Sequence, residues 1–140
     1  MKKEKSCGAV IYKVENETIL YYLIKQNKGH VSFPKGHVEE NETEEETAIR
    51  EIKEETNIEV LIDNKFREVS TYSPALNIVK DVIFFVALAI RENIKPQKSE
   101  VEEVLILNYE DAYKCLTYKR DKEILEKANV YIKEKISYKN

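Results

Sequence analysis

Apolar runs separated by short polar turns set the first part of the chain. Ser6 to Val14 is rich in β-branched and apolar residues, and Thr18 to Lys25 mirrors it across Glu15-Asn16-Glu17, which predicts a hairpin. Asn27-Lys28-Gly29 predicts a turn. Val31 to Phe33 is short and extended, because Pro34 disfavours helix in the residue before it. The spacing then changes to that of a helix over roughly residues 43 to 56. Asn41 or Thr43 is the candidate cap, Glu-rich first turns suit the dipole, and Ala48, Ile49, Ile52 and Thr56 form the expected buried stripe. Asn57 stands where a left-handed residue is expected to end that helix.

Strands are predicted at Glu59 to Ile62, Phe66 to Tyr72, Val79 to Ile90 and Glu102 to Leu107. Helices follow at Tyr109 to Cys115 and Arg120 to Lys135, the second with apolar positions Ile124, Leu125, Ala128, Val130, Tyr131 and Ile132. The order β-β-α-β-β-β-β-α-α predicts an α/β fold, a mixed sheet with helices on its faces.

The length of 140 residues predicts a single domain over 1–140. Hydrophobic residues at 42% and charged residues at 35% fit a globular chain and argue against disorder. No apolar run approaches the ~20 residues of a membrane span, and no apolar stretch follows Met1-Lys2-Lys3-Glu4-Lys5, so no signal segment is expected. Cys7 and Cys115 form no disulfide framework or metal-knuckle spacing and are expected as reduced thiols of a cytoplasmic protein.

Charge is unevenly placed. Residues 39 to 55 hold nine Glu against Arg50 and Lys53, a local balance of −7 that leaves +4 for the rest of a chain of net charge −3. A concentrated acidic patch in a mildly basic remainder does not predict a general nucleic-acid binder. It predicts a place for a hard divalent cation. Glu51, Glu54 and Glu55, at i, i+3 and i+4, share one face of the predicted helix. Oxygen-only ligands suit Mg²⁺ or Mn²⁺ rather than Zn²⁺. Spacing alone also fits a solvated acidic face partnered by Arg50 and Lys53.

The flanking residues decide between these readings. From Gly36 the chain runs five residues to Glu42, seven more, then Arg50-Glu51-Ile52-Lys53-Glu54-Glu55-Thr56-Asn57-Ile58. This resembles the Nudix box, with Asn57 in place of the box's final Gly. Asn tolerates the left-handed conformation, so the departure is conservative. The resemblance implies an α/β/α sandwich around a mixed β-sheet and hydrolysis of nucleoside diphosphates linked to another moiety, with Mg²⁺ or Mn²⁺. By position it implies Glu51, Glu54 and Glu55 as metal-binding and water-activating carboxylates, a backbone carbonyl of Lys35 or Gly36 as a further ligand, and Arg50 with Glu42 as the pair that orients loop and helix.

Ser32-Phe33-Pro34-Lys35-Gly36-His37-Val38-Glu39 and Ser6-Cys7-Gly8-Ala9-Val10-Ile11 resemble the asymmetrical diadenosine tetraphosphate hydrolases within that family. That likeness implies Lys80 on the phosphate chain, Tyr72 stacked on a base, Lys35 on phosphates, and Glu100 as a distal metal ligand or base, with Glu102 and Glu103 as rivals. His37 and His30 are loop histidines for which substrate contact and plain solvent exposure both stand open. The implied substrate is a dinucleoside polyphosphate, which water would split asymmetrically, giving ATP and AMP from diadenosine tetraphosphate. Oxidised nucleoside triphosphates, nucleotide sugars and an RNA 5′ end are the alternative substrates. A Nudix-fold binding module without catalysis is the alternative of another class, and the intact Glu51, Glu54 and Glu55 argue against it. No membrane partner is expected, and no nucleic acid beyond an RNA 5′ end.

Overall fold

A computed structural model of the chain describes residues 1–139, with side chains through residue 137. The elements are β1 (Lys2–Glu15), β2 (Thr18–Gln26), β3 (Val31–Ser32), β4 (Lys35–His37), α1 (Glu44–Thr56), β5 (Ile58–Ala75), β6 (Ile78–Glu92), β7 (Val101–Asn108), α2 (Tyr109–Cys115) and α3 (Lys119–Lys139). The sheet runs β3-β2-β1-β6-β5, with β4 also pairing β1 and β7 also pairing β2. The β1–β6 pair is parallel and the other ladders are antiparallel, so the sheet is mixed, as the pattern predicts.

β1 is central because Ser6 to Tyr12 are buried on both faces. Its alternating side chains feed two cores. Cys7, Ala9 and Ile11 join Ile83, Phe85 and Ala87 beneath Ala48 and Ile52 of α1. Val10 and Tyr12 join Val82, Phe84 and Val86 beneath Ala112, Leu116, Ile124, Leu125, Ala128 and Ile132 of the C-terminal helices. One helix thus covers one face and two cover the other, the expected α/β/α sandwich. Truncating a core residue such as Ile52 to Ala costs about 2–5 kcal/mol.

Three expectations are corrected. The strands predicted at 59–62 and 66–72 are one strand, β5, broken by a bulge between Asp63 and Arg67. Asp63 holds the bulge: Lys65 N–H donates to Oδ1, while Tyr131 Oη and Lys135 Nζ, both at 2.7 Å, donate to Oδ2. Phe66 then turns inward against Tyr131. Ile49 is exposed rather than buried, because it lies about 100° around the helix from Ala48, which faces the sheet. Lys35–His37, read as part of a loop, is strand β4, paired with Ser6, Cys7 and Gly8.

The helix ends obey the local rules. Thr43, not Asn41, caps α1, and Thr43 with Glu46 forms a capping box. Asn57 adopts φ 60°, ψ 33° at the C-terminal cap, the left-handed conformation expected there.

Candidate active site

The acidic motif is held by one guanidinium. Arg50 Nε donates to Glu42 Oε2 at 2.6 Å and one terminal nitrogen to Glu42 Oε1 at 3.0 Å, a bidentate pair. The same terminal nitrogen donates to the His37 carbonyl at 3.0 Å, and the other to Glu51 Oε1 at 2.9 Å and Glu54 at 3.3 Å. Arg50 thereby ties β4, the loop after it and α1 into one unit. Glu42 also accepts from Glu39 N–H and from the Thr47 hydroxyl. The Arg50 hydrogen bond, seconded by Glu39 N–H, holds the Glu42 carboxyl down at about 2.

Glu51 and Glu55 face a cavity of about 430 Å³ also lined by Lys35, Gly36, His37, Lys80 and Glu100. Glu55 is buried and accepts from Lys35 N–H at 3.2 Å. Burial, with the nearby Glu51 and Glu100 charges against Lys35, pushes its carboxyl up to about 8. Burial also raises Glu51, and Arg50 opposes that rise. Gly36 makes room for this pair. A Cβ there would lie 2.0 Å from Glu51 Cδ and 2.2–2.3 Å from its oxygens. The loop carrying Glu100 is pinned to the end of α1, where Gln97 N–H donates to the Glu55 carbonyl at 3.1 Å, and to the turn after β2, where Asn27 N–H donates to the Glu100 carbonyl at 2.9 Å.

Sequence proximity and spatial proximity differ for the acids. Glu54 is exposed, lies against Arg50 and does not line the cavity. Glu100 lines it, whereas Glu102 and Glu103 do not; Glu102 pairs instead with Lys25 at 3.9 Å. Among the described residues no three acidic or imidazole side chains converge tightly enough to hold a metal as they stand. The fit to a divalent cation rests on other observations: two cavity-facing carboxylates whose pKa values are raised by burial, a glycine where any side chain would fill the space, and donors that are all oxygen.

A second cavity of about 380 Å³ adjoins the first, sharing Gln26 and Lys35 with it. Tyr72, Ser70, Ser32, His30, Tyr118, Arg120 and Asp121 are among its walls. Tyr72 and Lys80 are opposed in the β5–β6 ladder, so they share a face of the sheet. Lys80 is half-buried, and burial together with the Lys35 charge lowers its pKa. The Arg120 guanidinium carbon lies 3.7 Å from the Tyr72 ring centroid and 4.1 Å from that of Tyr118. The Tyr118 hydroxyl meets His30 Nδ1 at 3.0 Å. The structure therefore brings Lys35, His37, Lys80 and Glu100 to the acidic cavity and Tyr72 to its neighbour. Tyr118, Arg120 and Asp121 were not legible in the sequence. They stand at the start of α3, more than forty residues from Tyr72 along the chain, with no local pattern to mark them.

A protein-family model described as NUDIX domain matches residues 2–128. The mouse asymmetrical bis(5′-nucleosyl)-tetraphosphatase is 31% identical, over 91% of this chain and 95% of that protein. The structure of a C. elegans Ap4A hydrolase binary complex superposes with a TM-score of 0.85 at 28% identity, covering 94% of this chain and 98% of that one. The NUDIX domain of Shewanella oneidensis NrtR, solved with ADP ribose, shares the fold with a TM-score of 0.79 at 16% identity, over 94% of this chain and 90% of its own.

Proposed function

The chain belongs to the NUDIX family and is a hydrolase of pyrophosphate bonds, and from that premise we propose that residues 1–140 act as one Mg²⁺-dependent asymmetrical dinucleoside-tetraphosphate hydrolase. The single observation that carries the reading is the pair of adjoining cavities. One end is acidic, with Glu51, Glu55 and Glu100; the other is walled by Tyr72 and Tyr118; Lys35 borders both. A substrate with a long, highly charged middle and aromatic ends matches that order.

Glu51, Glu55 and Glu100, with a backbone carbonyl of Lys35 or Gly36, would hold the cation from the cavity wall, and Glu54, which shares the helix face of Glu51 and Glu55, would join them on release from Arg50. When bound, Mg²⁺ neutralises the phosphate charge that repels a nucleophile. The protein's own groups do the rest. Lys35 and Lys80 act as point charges along the phosphate chain, and His37 stands at its side. Glu51 or Glu55 takes the proton of the attacking water. The water oxygen forms a new bond to phosphorus, and the anhydride P–O bond on the far side breaks, leaving AMP and ATP from diadenosine tetraphosphate. Arg50 and Glu42 keep Glu51 and β4 in register, so catalysis is mainly positioning and charge stabilisation. Tyr72 and Tyr118 offer ring faces to a base, a contact priced at about 1–3 kcal/mol per base.

The two free thiols support a cytoplasmic location, where cysteines stay reduced. Incubation with diadenosine tetraphosphate and Mg²⁺, followed by product chromatography, tests the reading. AMP with ATP in equal amounts is expected. Two ADP, or no cleavage alongside release of pyrophosphate from a nucleoside triphosphate, would overturn it in favour of another NUDIX substrate. No turnover of any nucleotide would leave a binding module.

A further inference from the structure

The turn Asn27-Lys28-Gly29 does more than join β2 to β3. Gly29 N–H donates to the Gln26 carbonyl at 2.7 Å, and Gln26 N–H donates to the His30 carbonyl at 2.7 Å, so the turn is closed on both sides. Gly29 supplies the positive φ, 96°, at its end. Asn27 is thereby held at a fixed corner, and both of its donors reach across to another segment. The main-chain N–H donates to the Glu100 carbonyl at 2.9 Å, and side-chain Nδ2 donates to the Lys98 carbonyl at 3.0 Å.

The segment gripped in this way is a single turn. Its Gln97 carbonyl accepts from Glu100 N–H at 2.9 Å and from Val101 N–H at 2.7 Å. On its other side Lys95 N–H donates to the Thr56 carbonyl at 3.0 Å and Gln97 N–H to the Glu55 carbonyl at 3.1 Å. Residues 95–101 therefore form a strap from the end of α1 to the end of β2, and fully buried Val101 roots it in the molecule. Glu100 is exposed, so packing does not hold its side chain and the backbone of this turn sets its direction. It nonetheless lines the same cavity as Glu51 and Glu55, and its charge acts on both.

We infer that Asn27 is a positioning residue for the cation site: its two donors fix the turn that aims Glu100 at Glu51 and Glu55. Without the Asn27 amide the Lys98 carbonyl is left to water, and the β2 end of the turn keeps one of its two bonds to that corner. The turn can then pivot about its attachment to α1, and Glu100 swings with it. This rests on the reading of Glu100 as a cation ligand and extends it to a residue that supplies no ligand atom.

Titration of Mn²⁺ into the chelator-treated protein, with the free ion followed by electron paramagnetic resonance, tests this without any substrate. Four proteins are compared: wild type, Asn27→Ala, Glu100→Gln and the double variant. Asn27→Ala should weaken Mn²⁺ binding about 10-fold, the low end of what an outer partner of a metal ligand carries. In the Glu100→Gln background the same change should alter binding by less than roughly 2-fold, because Asn27 acts through Glu100. That non-additivity is a readout a merely structural role would not produce, since lost stability would weaken both backgrounds alike. Equal loss in the two backgrounds, or no loss in the first, overturns the inference. Asn27→Ser suits a turn but is too short to reach the Lys98 carbonyl from the same corner, so it repeats the test if the alanine variant fails to fold. A weakened Glu100→Gln beside a wild-type Asn27→Ala sinks only the role of Asn27. Wild-type Mn²⁺ binding by Glu100→Gln removes Glu100 from the cation site, and the role of Asn27 with it. Turnover of diadenosine tetraphosphate by the wild type, run in parallel, tests the proposed reaction separately from either.

Discussion

Gly36→Ala separates the fold from the site within a single methyl group. The new Cβ would sit 2.0 Å from Glu51 Cδ, whereas carbon atoms rest about 3.5–4.0 Å apart. The Glu51 carboxylate must then retreat by roughly 1.5 Å or more. What the methyl meets is the far end of a flexible side chain, so β4 and β1 need not move. Holding Glu51 off its rotamer costs about 0.5–1.5 kcal/mol, and weakening its partly exposed bond to Arg50 adds about 1 kcal/mol at most. The melt should fall by only a few degrees, at about 2–4 °C per kcal/mol for a chain of this size. Catalysis should suffer far more, because misplacing a reacting group by about 1 Å costs on the order of 10²-fold. Gly8→Ala is the control. Its Cβ would meet the Pro34 carbonyl oxygen at 2.2 Å and Lys35 Cβ at 2.7 Å, so the backbone entering β4 must shift, and stability should fall by about 1–3 kcal/mol or more. Thermal melts and steady-state hydrolysis with Mg²⁺ on both variants decide the matter. A Gly36→Ala protein with wild-type kcat and an unchanged melt would refute the assignment of Glu51 to the reaction.

Glu55 makes the metal-free protein pH-sensitive. Its carboxyl titrates near 8 folded against 4.5 for an ordinary Glu, so the folded state holds the extra proton and stability should fall as pH rises through that window. Denaturant melts in EDTA should show this slope, flattened in Glu55→Gln; an unchanged slope in the variant would place the proton elsewhere. Glu54→Gln and Glu55→Gln should each lower kcat by at least ~10²-fold with circular dichroism unchanged, and near-normal turnover in both would remove the acidic face from the mechanism. Tyr72→Ala should raise KM for dinucleotides by a factor worth about 1–3 kcal/mol and spare a base-free polyphosphate ester, whereas Lys80→Met should slow both; equal losses for Tyr72→Ala on the two substrates would mark Tyr72 as packing. Asn57→Val should lower the melt more than Asn57→Gly, since valine resists φ near 60°. Gly relieves Cβ strain but loses the Asn57 side-chain bond to the Asn93 carbonyl, so its net effect should lie near zero, and a melt ranking Val above Gly would contradict this account of the cap.

Local chemistry made much of this protein readable without coordinates. The helix from Thr43 to Asn57 follows from a capping box at one end and a left-handed Asn at the other, both set by residues within four positions of each other. The two central strands follow from runs of apolar residues buried on both faces. Glu51 and Glu55 share a helix face because 3.6 residues make a turn, and Arg50 meets Glu42 because the box spaces them across that same helix start.

What the chain order could not express is which distant segments meet. Whether Asp63-Asn64-Lys65 ends a strand or bulges within one depends on Tyr131 and Lys135, about seventy residues later. The choice of Glu100 over Glu102 and Glu103 as the acid lining the cavity depends on hydrogen bonds from Gln97 to the end of α1 and from Asn27 to Glu100. The slot formed by Tyr72 and Tyr118 around Arg120 exists only because α3 packs its first turn against the face of the sheet that carries Tyr72 and Lys80. Hydrophobic burial drives that packing without regard to sequence separation, so a residue's neighbours across it are fixed by the folded surface and leave no periodic trace in the chain.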